Sequence, residues 1–168
     1  MRILMSSVYQ VPYLFVIGDA TEDTTRYDVA VNGPRNEDAA LKKLLPDLLS
    51  IALHVTATKE TRNTEGWILT APNGLPKEFQ EAASTGGTSS VGHGSMKMAG
   101  MRMSNLAGMA QTVLRKPVVD KTGITGRYDF TLKYDDARPE SLLDQLRELG
   151  FALEAATLPT EFLVVTKK

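Results

Sequence analysis

The stretch RYDVAV at residues 26–31 recurs as RYDFTL at residues 127–132, and this pair decides the predicted fold. After each Arg-Tyr-Asp, apolar side chains alternate with polar ones, which is the period of a half-buried strand. Each copy is followed by a leucine-rich amphipathic segment and then by apolar, strand-like runs. Because three strands and one helix can bury a common face, the repeat predicts an α+β fold of two tandem βαββ units.

The predicted organisation has four parts. They are an N-terminal helix and connection (residues 1–23), a first βαββ unit (24–71), a Gly- and Ser-rich loop (72–94), and a second unit with a preceding strand and helix (95–168). The last two strands of each unit are expected to form an antiparallel hairpin, with turns at residues 61–65 and at Leu158-Pro159. The helices are expected to pack on the sheets, and one compact domain containing both units is compatible with this pattern.

Composition and charge exclude several classes of function. The 168 residues include 19 basic and 20 acidic side chains, so the net charge of −1 gives no reason to expect nucleic acid as a partner. The absence of cysteine excludes thiol catalysis and disulfides, and two histidines argue against a catalytic zinc site. No apolar run is long enough for membrane insertion. The expected partner is therefore a small molecule or a protein, including a second copy in a homodimer.

The Gly- and Ser-rich segment supplies the first candidate catalytic residues. Residues 88–92, TSSVG, nearly match the Gly-x-Ser-x-Gly nucleophile motif, with Thr88 in place of the first glycine. His93 follows Ser90 by three residues and would serve as the base that activates it. The competing interpretation is that Ser90 and His93 are ordinary residues of a flexible loop.

Asp120 is the third candidate catalytic residue. The sequence DKTGIT at residues 120–125 is similar to the phosphorylation motif of P-type ion pumps, whose nucleotide domain and membrane helices have no counterpart here. The structural interpretation is a carboxylate at a strand end that accepts N–H bonds from the following turn. Alternatively, carboxylates near Asp120 would hold a divalent cation such as Ca²⁺ that activates water. No other cofactor is predicted.

The repeated motif also supplies candidate binding residues, namely Thr122, Arg127 and Tyr128. A binding role would require both copies of the motif to line one cleft. The competing interpretation assigns the Arg and Asp of each copy to the solvent side of a strand, as charges that fix a loop or a neighbouring strand. Five methionines between Met96 and Met109 are expected to fill a core, with a Cu(I) site as the alternative.

Residues 115–134, RKPVVDKTGITGRYDFTLKY, followed by SLLDQLRELGFALE at residues 141–154, closely resemble a soil-associated bacterial protein family of unknown function. The resemblance covers most of the chain and implies an extracytoplasmic location, in some members with fusion to membrane metallopeptidases of the β-lactam-sensor type. It transfers no catalytic residues. The chain departs from the family pattern by lacking a leader and a first strand, so truncation at the N-terminus is expected.

Two functional hypotheses follow from these observations. The first is a ligand-binding or protein-interaction module, because no complete catalytic set is present and a repeat suits a scaffold. The alternative is a small hydrolase of esters or lactones, dependent on a metal ion or on a Ser/His pair.

Overall fold

The computed structural model describes residues 1–30, 38–83 and 86–168. Within these ranges the chain forms α-helices and β-strands in an α+β arrangement, which confirms the predicted fold class. The helices are α1 (Arg2–Tyr9), α2 (Asp38–Ala52), α3 (Met103–Leu114) and α4 (Ser141–Glu148). The strands are β1 (Val16–Ile17), β2 (Val55–Thr70), β3 (Gln80–Glu81), β4 (Thr88–Gly92), β5 (Ser95–Met101), β6 (Val118–Asp120), β7 (Tyr128–Lys133) and β8 (Ala152–Lys167).

The chain divides into two compact units. Unit 1 contains Met1–Arg62 and Pro159–Lys168, and unit 2 contains Asn63–Leu158. This division differs from the predicted units at residues 24–71 and 95–168, because β2 and β8 each contribute residues to both units.

In unit 1 the strand order is β1-β8-β2. Strand β1 runs parallel to β8, with Val16 opposite Leu163 and Ile17 opposite Val164. Helix α1 ends before Pro12, and the Tyr9 hydroxyl contacts α2 through the hydroxyl of Ser50 at 3.1 Å. Helix α1, β1 and β8 enclose a small apolar core with contributions from neighbouring segments. Its buried members are Met5, Val11, Phe15, Val16, Ala20, Val55, Leu163 and Val165.

Unit 2 contains an antiparallel sheet of order β3-β7-β5-β4, and its β6 runs parallel to β2 with Val118 opposite Trp67. Helix α4 packs against β7 and α3. The predicted alternation of β7 is confirmed, since one side of the strand is buried and the other is exposed. The buried apolar members of this larger core are Leu69, Phe79, Met96, Met98, Met103, Leu106, Ala107, Ala110, Val118, Tyr128, Phe130, Leu132, Leu142, Leu143, Leu146, Phe151 and Leu153.

Three sequence-based predictions of local structure are wrong. Neither predicted hairpin forms. In place of each hairpin the chain has one 16-residue strand, β2 or β8, which continues through the residues where the turn was expected. Residues 26–30 contain no strand, although alternation predicted one there. The predicted loop at residues 72–94 includes β3 and β4. Residues 31–37 of the first predicted unit and 84–85 of the predicted loop lie outside the described residues.

Candidate functional site

In unit 2 the Arg-Tyr-Asp motif holds a bulge in the neighbouring strand. The register between β5 and β7 shifts between Met98 and Met101, and Gly100 in this bulge has a φ of +63°. A side chain at Gly100 would overlap the carbonyl oxygen of Gly86, so the bulge requires glycine.

Both charges of the motif bind the backbone of this glycine. The Arg127 guanidinium donates a hydrogen bond to the Gly100 carbonyl at 2.8 Å, and the Asp129 carboxylate accepts one from the Gly100 N–H at 2.6 Å. The buried Tyr128 donates its hydroxyl proton to the Thr125 carbonyl at 2.5 Å. The charges therefore fix a neighbouring strand, as the structural interpretation of the motif states.

Asp120 lies at the end of β6 and organises the turn that follows. Its carboxylate accepts hydrogen bonds from the Thr122 N–H at 2.9 Å and from the Thr122 hydroxyl at 2.8 Å. The Thr122 hydroxyl oxygen in turn accepts the Ile124 N–H at 3.2 Å. This is the local geometry that the structural interpretation of the DKTGIT sequence predicts, and Gly123 in the turn has a positive φ of +70°.

Ser90 and His93 lie in an exposed hairpin. Strands β4 and β5 pair antiparallel, with Ser90 opposite Lys97 and Gly92 opposite Ser95. His93 forms the tight turn together with the following glycine, and its φ is +52°. Within residues 1–30, 38–83 and 86–168, neither side chain makes a hydrogen bond, so this structure does not join them as nucleophile and base.

A cleft of about 340 Å³ lies beside Asp120. The start of α3 contributes Arg102 and Ser104 to its lining, and the turn after β6 contributes Thr125 and Gly126. Sequence reasoning missed Arg102 as a neighbour of Asp120. Helix α3 begins at Met103, and the Asn105 side chain accepts the Arg102 N–H at 3.0 Å.

Asp120 supplies the carboxylate of this cleft. In the described part of the chain, no group of three or more His, Asp or Glu side chains is arranged to hold a metal ion. The cleft offers one carboxylate, one guanidinium and hydroxyl groups, which can form hydrogen bonds to a polar organic ligand.

The first copy of the motif has different surroundings in unit 1. The Asp23 carboxylate accepts hydrogen bonds from the Thr25 N–H at 2.8 Å and from the Tyr27 hydroxyl at 2.5 Å. Hydrogen bonds from Thr25 and then from Tyr27 lower the pKa of Asp23 to about 2, and the bond to Asp23 raises the pKa of Tyr27. Arg26 and Asp28 are exposed and form no hydrogen bond or ion pair among the described residues.

The model of a family described as a protein of unknown function (DUF3738) matches residues 2–167. The chain belongs to the DUF3738 family. No curated protein and no solved structure matches it. Membership in a family of unknown function was the expectation drawn from the resemblance, and it is confirmed; the soil association stays a prediction.

The DUF3738 chain exposes apolar side chains mainly in unit 1. Nine large apolar side chains are exposed among the described residues, and seven of them belong to this unit: Ile3, Tyr13, Tyr27, Val29, Leu44, Leu48 and Ile51. Three of the seven lie on α2 at the spacing of one helix face, with Leu44 54%, Leu48 50% and Ile51 66% exposed. None of the described helices combines the length and hydrophobicity needed to cross a membrane.

Proposed function

We propose that this DUF3738 chain is a protein-interaction module. The observation that carries the proposal is the apolar face of α2, where Leu44, Leu48 and Ile51 are each at least half exposed. An apolar stripe at this spacing ordinarily faces a core. Contiguous exposed apolar surface on a folded protein marks an interaction site more often than a random feature of the surface.

The geometry of the candidate catalytic residues supports the same proposal. Ser90 and His93 are exposed on a hairpin without a bond between them. The Asp120 carboxylate already binds Thr122, and Arg127 already binds the backbone of β5. Hydrolysis by a Ser/His pair would need an oriented base beside the nucleophile.

The repeat supports a scaffolding role. Arg26 and Arg127 lie 101 residues apart, and so do Ile17 of β1 and Val118 of β6, each in a short parallel strand that precedes the motif. Their partners are Val164 and Trp67, in the long strands β8 and β2. The same order of a parallel strand, the Arg-Tyr-Asp motif, a helix and a long strand therefore occurs twice, which we ascribe to duplication.

A photo-crosslinking experiment tests the interaction function. A photoreactive amino acid replaces Leu48 on the exposed face of α2, and a matched variant carries it at Leu75, an exposed apolar residue of unit 2. We expect one recurring protein adduct from Leu48 in cell extract, abolished by Leu44→Glu, and no equivalent adduct from Leu75. A homodimer would be recognised as an adduct of two identical chains. Equal, unspecific labelling at both positions would contradict the proposal.

The second candidate function is hydrolysis of small esters or lactones. It is favoured by the cleft of about 340 Å³ that combines Asp120 with Arg102 and Ser104. A panel of chromogenic esters and lactones, with and without EDTA, tests this candidate on the wild type, His93→Ala and Asp120→Ala. Turnover that either substitution abolishes in a folded protein would favour the hydrolase over the interaction module.

A further inference from the structure

We propose that residues 26–30 of unit 1 bind a β-strand of another protein, one with alternate apolar side chains and a glycine at a bulge. This inference rests on the interaction function proposed above and names the chemistry of the partner. Strands commonly bind other proteins in this way, since main-chain hydrogen bonds give affinity and alternate side chains give specificity.

Unit 2 shows what the Arg-Tyr-Asp motif does when a strand lies beside it. Strand β5 pairs antiparallel with β7, so that Met98 lies opposite Phe130 and Met96 opposite Leu132. The two charges of the motif hold the N–H and the carbonyl of Gly100. An adjacent strand is thus bound through apolar pairs on one side and through charge-assisted hydrogen bonds at its bulge.

In unit 1 the same residue types have no such strand among the described residues. Tyr27 is 38% and Val29 44% exposed, whereas their counterparts Tyr128 and Phe130 are only 9% and 7% exposed. The guanidinium of Arg26 and the carboxylate of Asp28 lack partners in the same described ranges. Arg26 and Asp28 have the sequence spacing of Arg127 and Asp129, the donor and acceptor that bind the carbonyl and N–H of the bulged glycine in unit 2.

We assign the strand to another protein because, among the described residues, β5 of a second copy is already paired on both sides. It pairs with β4 and with β7, and both hydrogen-bonding groups of Gly100 are bound by Arg127 and Asp129. Strand β4 has a free edge in the sheet order, but its sequence TSSVG lacks the alternation of large apolar residues.

A labelled peptide with the sequence of residues 86–101 serves as the probe, since it contains the one strand known to fit the motif. Fluorescence anisotropy of this peptide is measured against the full chain. We expect saturable binding that Arg26→Ala and Asp28→Ala each weaken about tenfold, the scale of one charge-assisted hydrogen bond. Val29→Asp should abolish binding, and so should a Gly100→Val change in the peptide.

The exposed Arg138 of unit 2 provides the matched control, since Arg138→Ala also removes a guanidinium and should leave binding unchanged. Circular dichroism confirms that each variant is folded. Absence of saturable binding, or binding that Arg26→Ala and Asp28→Ala leave unchanged, would overturn the inference. Self-association that Val29→Asp abolishes would also overturn it, because the occupant would then be a second copy. If the peptide does not bind while the crosslinked adduct at Leu48 is still formed, the strand site is wrong and the proposed interaction function is still supported.

Discussion

At the scale of single residues, the two aspartates of the repeated motif differ in what surrounds them. Asp129 accepts the N–H of the buried Gly100 at 2.6 Å, whereas Asp28 is exposed and has no hydrogen-bond partner among the described residues. Leaving a buried N–H without an acceptor is far more destabilising than removing an exposed carboxylate. Replacing each aspartate by alanine therefore shows how much stability comes from the contact with Gly100, since the motif sequence is the same at both positions.

We expect Asp129→Ala to lower the free energy of unfolding by about 1–3 kcal/mol, because it leaves the Gly100 N–H unsatisfied. Asp28→Ala should change it by less than about 0.5 kcal/mol, as for ordinary surface positions. Trp67, the single tryptophan, lies in unit 2 and reports its unfolding in denaturant by fluorescence, while circular dichroism of the same samples reports both units. Similar decreases in the free energy of unfolding for the two variants would show that the bulge contact does not stabilise unit 2.

The bulge glycine gives a second prediction. Gly100→Ala places a methyl group against the Gly86 carbonyl at a φ of +63°, while Gly74→Ala meets a similar φ of +78° in open space. Both variants bear the strain of a left-handed alanine, about 1 kcal/mol. Only Gly100→Ala bears the overlap as well, so its midpoint of denaturation should fall further. Equal midpoints would mean that the strand accommodates a side chain there.

Asp23 and Tyr27 predict a pH dependence of the local turn in unit 1. Because the folded pKa of Asp23 is lowered from 3.8 to about 2, the carboxylate stabilises the turn above pH 3.8, and this is lost as pH falls toward 2. The raised pKa of Tyr27 has the opposite sign: its contribution is present below pH 10 and is lost as pH rises through the raised value. Tyr27→Phe should move the Asp23 pKa upward in a carboxyl NMR titration; an unmoved value would exclude the hydroxyl as a cause.

Local interactions explain which residue-level predictions held. The turn after Asp120 forms from bonds that span two residues, so its sequence was sufficient to predict it. The pairing of Arg127 with Gly100 spans 27 residues and depends on a bulge that no local pattern reveals. The neighbours of Asp120 in the cleft were missed for the same reason, since α3 brings them from a distant part of the sequence.

At the scale of elements, the long strands explain why the predicted hairpins were wrong. The turn predicted at residues 61–65 lies within β2, whose residues 58–63 are exposed, so a polar strand buries no polar side chain there. Its charges find partners there, as Lys59 does with Glu161 at 2.8 Å. Pro159 lies inside β8, although proline is confined in sheets to positions that need no N–H donor. Residues 26–30 show the opposite case. Their apolar and polar side chains alternate, but no described strand lies beside them, and a strand needs a neighbouring strand to form a sheet.

Adjacent leucines of α2 test whether its outer face is free. Leu49 is buried and Leu48 is half exposed. Leu49→Ala should lower the free energy of unfolding by about 2–5 kcal/mol, the usual effect of a truncated core leucine. Leu48→Lys should leave it within about 0.5 kcal/mol, since no core contact is removed. Denaturant unfolding followed by circular dichroism checks both. A large loss for Leu48→Lys would show that this face is packed in solution.

At the scale of the whole molecule, the buried apolar side chains of the described residues form two clusters, one in each unit. The long strands β2 and β8 each have residues in both units. Because the end of β8 belongs to unit 1, this unit includes the last ten residues, Pro159–Lys168. Sequence spacing could not reveal this arrangement, because β2 follows α2 along the chain but pairs in parallel with β6, and β8 follows α4 but pairs in parallel with β1.

This arrangement predicts that damage to the end of β8 acts selectively on unit 1. Val165→Asp places an unpaired charge in the buried core of that unit. Such a charge ordinarily lowers the free energy of unfolding by more than about 3 kcal/mol. We expect hydrogen exchange to accelerate in α1 and β1 while amides of β5 and β7 stay protected, because their core shares no residue with the damaged one. The less buried Val164 provides the control, and Val164→Asp should have a smaller effect. Loss of protection in β5 and β7 together with β1 would mean that the two cores unfold as one cooperative structure.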